Sequence, residues 1–155
     1  MYLSEICNIV NAMPPHSTGA GLGGVCAYVN MENYSHLTAV IQSGVGDPAV
    51  VTVEKSATGV GAGTAIAFTH RDCNVAYLTA GGNTLGVPTL IVGAGGFTMG
   101  TNDGNYSVIE LDAIELTADY PFVRLALSAV AGVHSVIYIL SDARYKEPGI
   151  AVSVV

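Results

Sequence analysis

The sequence predicts an all-β fold, an antiparallel sandwich or barrel of about eight to ten short strands. Three observations point to it. Apolar and polar residues alternate at a period of two over several runs, the pattern of a strand with one buried face. Turn signals built from Gly, Pro, Asn and Asp separate these runs at short intervals. No regular alternation of strand-like and helix-like segments is present, which argues against a parallel α/β sheet.

The clearest strands lie in Phe122–Tyr145. Val123, Leu125 and Leu127 alternate with Arg124, Ala126 and Ser128. Val136–Leu140 is almost wholly apolar and β-branched, as in a central strand covered on both faces. The link through Ala131-Gly132 suits a hairpin.

At the N-terminus, Leu3, Ile6, Cys7 and Val10 stand at helical spacing before Pro14-Pro15, which predicts a short helix or arm. His16–Gly24 reads as a Gly-rich loop, Val25–Val29 as a first strand and Glu32–Ser35 as a turn. In His36–Ser43, Leu37, Ala39 and Ile41 share one face and Thr38, Val40 and Gln42 the other. Val50–Lys55 and Thr64–Thr69 read as strands, His70–Asn74 as a turn, and Val75–Thr79 and Leu90–Val92 as short strands. Asn105–Leu111 alternates again, and Asp112–Tyr120 has room for one helical turn before Pro121. The expected organisation is one domain: an arm and loop over 1–24, a sandwich over 25–145 and a tail over 146–155.

Composition narrows the function. Half the residues are hydrophobic (50%) and only 11% are charged, against about 25% in an ordinary globular chain. So few charges leave apolar surface to be covered by another chain. Every apolar run is broken by Gly, Pro or polar residues well short of the roughly 18 needed to cross a bilayer as a helix, so no membrane association is expected. Twelve acidic against five basic residues, a net charge of −7, argue against nucleic acid. No secretory signal is evident, and Cys7, Cys26 and Cys73 read as buried thiols of a reducing compartment.

No motif points to catalysis. Gly19–Gly24 fits G-x-G-x-x-G, but prolines precede it and a strand-like run follows, the reverse of a dinucleotide site. Gly59–Gly63 and Gly93–Gly96 lack the Lys-Ser/Thr of a phosphate loop. His16, His36, His70 and His134 are far apart, with no metal-ligand spacing. Neither a nucleophile elbow nor a reactive cysteine context is visible. The sequons at Asn33 and Asn105 have no meaning without secretion. Glu110, Asp112, Glu115 and Asp119 form an acidic cluster that reads as a solvated face. Ser141–Tyr145 is either a strand end with an Asp142–Arg144 ion pair or an anchor at a chain–chain contact, where Arg and Tyr are favoured.

Three segments together, Asn33–Val45, Val50–Thr69 and Tyr106–Tyr145, resemble the jelly-roll cement or decoration proteins encoded in the head-gene clusters of tailed bacteriophages. The resemblance implies a jelly-roll-like β-sandwich of about eight strands. It implies a non-enzymatic virion protein, made in the host cytoplasm, that binds the capsid exterior across joints between major capsid protein subunits. It also implies a homo-oligomer, dimer or trimer, with no cofactor and no metal. The candidate interface residues are Leu3, Ile6, Val10, Tyr34, Asp142, Arg144 and Tyr145, and removal of Met1–Met13 is expected to weaken capsid binding while leaving the sandwich folded. A receptor- or glycan-binding module of a tail or fibre is the alternative. With no Trp in the chain, its sugar platform would fall to Tyr or Phe.

Overall fold

The computed structural model describes residues 6–17, 24–73, 84–101, 103–128 and 130–143. These form two antiparallel sheets packed face to face. The strands are β1 (Cys7–Ser17), β2 (Val29–Asn30), β3 (Tyr34–Gly46), β4 (Val50–Ser56), β5 (Thr64–Ile66), β6 (Phe68–Cys73), β7 (Thr89–Ile91), β8 (Phe97–Thr98), β9 (Tyr106–Asp112), β10 (Phe122–Leu127) and β11 (Gly132–Ala143). One sheet runs β1-β11-β3-β9-β6-β7 and the other β2-β10-β4-β5, with β8 also pairing β4. Set aside β6, β7 and β8, and eight strands remain in which the first lies beside the last and the chain passes repeatedly between sheets. That is the jelly-roll arrangement, as the resemblance implied.

Period-two patterning accounts for the core. Leu37, Ala39 and Ile41 of β3, Val51 and Val53 of β4, Ile109 and Leu111 of β9, and Val123, Leu125 and Leu127 of β10 all point between the sheets and are buried. The additional strands close one side. Phe97 of β8 stacks on His70 of β6, with centroids 3.9 Å apart, and tilts against Phe68 at 6.0 Å. The chain changes sheets at Ala67, so the expected strand Thr64–Thr69 is divided between β5 and β6. The expected turn from His70 is the continuation of β6, paired with β9 as far as Cys73↔Tyr106. Asp112–Tyr120 does contain one turn, a 3-10 turn at Ala113–Glu115, closed by the Glu115 side chain accepting the Asp112 N–H. The strand expected at Val75–Thr79 lies outside the described residues.

Three expectations are corrected. The N-terminal segment is a strand, not a helix. From Cys7↔Ser141 to Ser17↔Val133, β1 pairs with β11, with register shifts at Asn11/Met13 and Met13/His16. Bulges and an edge position let Pro14-Pro15 sit within a strand, because a missing N–H costs nothing where no ladder bond is required. Val10, Ala12 and Met13 are buried, so removing Met1–Met13 takes core residues with it and tests more than an arm.

The second correction concerns β10 and β11, which are not a hairpin. They lie in different sheets, β10 between β2 and β4 and β11 between β1 and β3. The third concerns β11 itself. It is central, between β1 and β3, and buries Val136, Tyr138 and Leu140 completely. Its other face is not covered: Ile137 is 43% exposed and Ile139 is half-buried.

The expected strand Val25–Val29 is also interrupted. Val25 bridges Ala126, the pairing lapses, and β2 resumes at Val29. Cys26 still donates its N–H to the Leu125 carbonyl. The Leu125 N–H instead crosses the core to the Tyr138 hydroxyl at 2.8 Å. That hydroxyl joins the two sheets at the centre of the molecule.

Candidate interaction surface

The outer faces of the two sheets differ. On the five-stranded sheet, Arg124 of β10 lies opposite Glu54 of β4 and donates from Nε and Nη2 to Glu54 Oε2 at 2.9 and 2.7 Å. The Arg124 guanidinium also stacks on Tyr28 at 4.4 Å. Tyr28 is buried and donates its hydroxyl to the Gly61 carbonyl at 3.3 Å. Gly59, at φ +70, sits so close to the Phe122 ring that a Cβ would lie 2.8 Å from it. The chain between β4 and β5 thus covers this face with its own residues.

The six-stranded sheet has no comparable cover among the described residues. Ladder registers place Ile9 beside Ile139, Ile137 beside Val40, and Val40 beside Val108. All five point outward. Ile9 is 50% exposed, and Val40, Val108 and Ile139 are half-buried. The band crosses four strands and ends at exposed Arg71 of β6, opposite Val108. An acidic corner flanks it: Glu110 lies beside Thr38, and His36 Nδ1 meets Asp112 Oδ1 at 2.7 Å. The face is apolar over its middle and polar at its rim, a distribution like that of a protein–protein interface.

Beside the band, at the end of the sheet, lies a groove of about 370 Å³ lined by Pro15, Gln42, Val45, Asp103, Val133 and His134 among others. Among the described residues no Phe or Tyr lines it. His134 is 1% exposed, and neither ring nitrogen makes a well-formed hydrogen bond among the described residues. Burial holds its pKa below the ordinary value, opposed by the nearby Asp47 backbone and reinforced by His16. His70 is also held low by burial, against the raising effect of Asp72. Cys26, buried beside Tyr138, has its thiol pushed up to about 12, chiefly by burial. Among the described residues no three His, Cys, Asp or Glu side chains gather to hold a metal ion. No disulfide links Cys7, Cys26 and Cys73.

The interface residues expected from sequence are scattered. Leu3, Arg144 and Tyr145 lie outside the described residues. Ile6 is 52% exposed just before β1. Asp142 is exposed near the end of β11, in the left-handed region at φ 54, which Asp tolerates better than most residues. Val10 and Tyr34 are at 7% and 6% exposure in the core, where strand alternation turns them inward and away from any partner. The apolar band was missed, although a signal for it existed. Val136–Leu140 carries apolar residues on both strand faces, and Val40 stands on the polar side of β3.

No family model matches the chain, and no curated protein matches it. Among solved structures, that of the SPBc2 prophage-derived protein YomS is similar, with a TM-score of 0.50 over 88% of this chain and 93% of that one. The two are 15% identical, and the likeness is one of fold.

Proposed function

We propose that the chain is a structural protein of a tailed-phage virion, a cement or decoration protein that lies on the capsid exterior across joints between major capsid protein subunits. The observation that carries this reading is the outward apolar band Ile9–Ile139–Ile137–Val40–Val108 on a sheet face that no other described strand covers. The low charge content, 11%, supports the same conclusion, and the fold shared with a prophage-derived protein is compatible with it.

The mechanism is additive. A specific contact buries about 800 Å² per partner, and each buried apolar Å² contributes about 25 cal/mol. A copy seated over a joint adds that gain to both capsid subunits, and capsid symmetry repeats it around the shell. The apolar band supplies the middle of the contact. Glu110, Asp112 and Arg71 supply a polar rim that sets orientation.

The test is co-sedimentation with emptied heads of the encoding phage. Wild-type chain saturates the heads, and Val40→Lys or Ile137→Lys, which put a charge at the centre of the band, abolish binding while melting as wild type. If both variants saturate heads at wild-type affinity, the band is not the contact. If the wild-type chain does not sediment with heads, the capsid reading fails.

A further inference from the structure

We propose that a second copy of this chain pairs, antiparallel and about a two-fold axis, along the free edge of β7. Strand β7 ends the six-stranded sheet, and no described strand occupies its outer side. Its segment exposes the largest cluster of apolar side chains beside any sheet edge: Val87 at 80%, Leu90 at 64% and Val92 at 74%. An exposed apolar edge is a template for another strand unless something guards it.

The other edges among the described strands are shorter, interrupted or less apolar. Bulges and Pro14-Pro15 interrupt β1, β2 has only two residues, and β5 presents Thr64, Ala65 and a half-buried Ile66. On β7, Pro88 limits the edge on one side and Gly93, at φ +81, on the other. Thr89–Val92 between them carries no charge.

Charge restricts where a second copy can sit. The chain has a net charge of −7, so two copies repel wherever their charged surfaces meet. From Cys73 to Asn102 no residue is charged, and β7 lies within that stretch. A two-fold contact there is isologous: each copy offers the same neutral strand, and no charge is buried. Register places Leu90 beside Thr69, and Thr69 beside Glu110, so Leu90 belongs to the outer face of the sheet. Antiparallel edge pairing has its two-fold axis normal to the sheet, and both outer faces therefore look the same way. The two apolar bands lie on one side of the dimer. In the capsid reading, on which this last step alone rests, one dimer grips the shell twice and gains avidity.

Sedimentation velocity on the full chain, without heads, tests the proposal. Wild type sediments as a dimer. Leu90→Lys and Val92→Lys each bring two like charges, one from each copy, close to the axis on an apolar contact and weaken association by about a hundredfold, with the far-UV spectrum unchanged. Ile114→Lys, at a side chain 89% exposed after β9, leaves the dimer intact. A monomeric wild type overturns the proposal. So does a Leu90→Lys chain that dimerises as wild type, as it would if deletion of residues 144–155 were the change that abolished association. The measurement is made without heads, so a monomeric wild type leaves the capsid reading standing, and the two readings fail separately.

Discussion

Replacing Tyr138 by Phe isolates the hydrogen bond that joins the two sheets. Tyr138 is 0% exposed in β11, and its hydroxyl accepts the Leu125 N–H of β10 at 2.8 Å. Burial pushes the hydroxyl's pKa well above the ordinary tyrosine value, so it stays protonated at any working pH. Tyr138→Phe keeps the ring and its packing but removes the oxygen. The Leu125 N–H then has no acceptor, because the lapse in pairing after Val25 has already taken its ladder partner away. A buried N–H left without a partner costs about 1–3 kcal/mol. The expected loss is about 2 kcal/mol, or a fall in Tm of about 4–8 °C for a chain of this size. Urea unfolding followed by circular dichroism measures it, with an unchanged m-value as the check that the compactness of both states is preserved. A variant within about 0.5 kcal/mol of wild type would show that the N–H finds another acceptor, and the account of the interrupted strand would be wrong.

Two further outcomes follow from the same geometry. At Gly46, φ is +124 and an added Cβ would lie 2.2 Å from the Ala131 carbonyl oxygen and 2.6 Å from Gly132 Cα, so Gly46→Ala is expected to cost about 3 kcal/mol or more. Gly61, at φ +73 with nothing within 4 Å of its added Cβ, is the control, and Gly61→Ala should cost only about 1 kcal/mol by thermal melts of both. Stability should also depend on pH through His70 and His134. Both have folded pKa values held below the ordinary 6.5, so the unfolded chain binds more protons between each folded value and 6.5. Stability is full above that window and declines as pH falls through it, by at most about 1.4 kcal/mol per pH unit for each histidine. His134→Gln should reduce the slope, and a Tm that is flat from neutrality down to mild acid would contradict the burial assigned to both rings.

Much of the core was legible because strand alternation is a local property. Leu37, Ala39 and Ile41, or Ser107, Ile109 and Leu111, declare their face within a few residues, and the structure buries each of them. What could not be read locally was the partner of each strand. Val123–Leu127 and Val136–Leu140 are near neighbours in sequence and look like a hairpin, yet the jelly roll sends them to opposite sheets. The N-terminal segment shows helical spacing at Ile6, Cys7 and Val10. It becomes a strand because β11 has an edge that needs covering, and a tertiary demand of that size overrides weak local preference. The division at Ala67 is invisible for the same reason. Nothing in TAIAFT marks where one sheet ends and the other begins.

The misreading of β11 is the most informative. An apolar run on both faces of a strand suggests burial on both sides, and the described residues bury one of them. Ile137, Ile139, Val40 and Val108 are β-branched side chains on a sheet exterior, where a lone soluble domain of this architecture would alternate to polar residues. Covering the remaining surface of side chains like these is worth on the order of 1 kcal/mol each. The five-stranded sheet, which uses an Arg124–Glu54 pair and its own loop on its outer face, shows that the fold has other means of finishing a surface. The six-stranded sheet does not use them across the middle of its band. In the proposed capsid contact, the free energy that the sequence pattern promises on that face is recovered when a second surface lies against it.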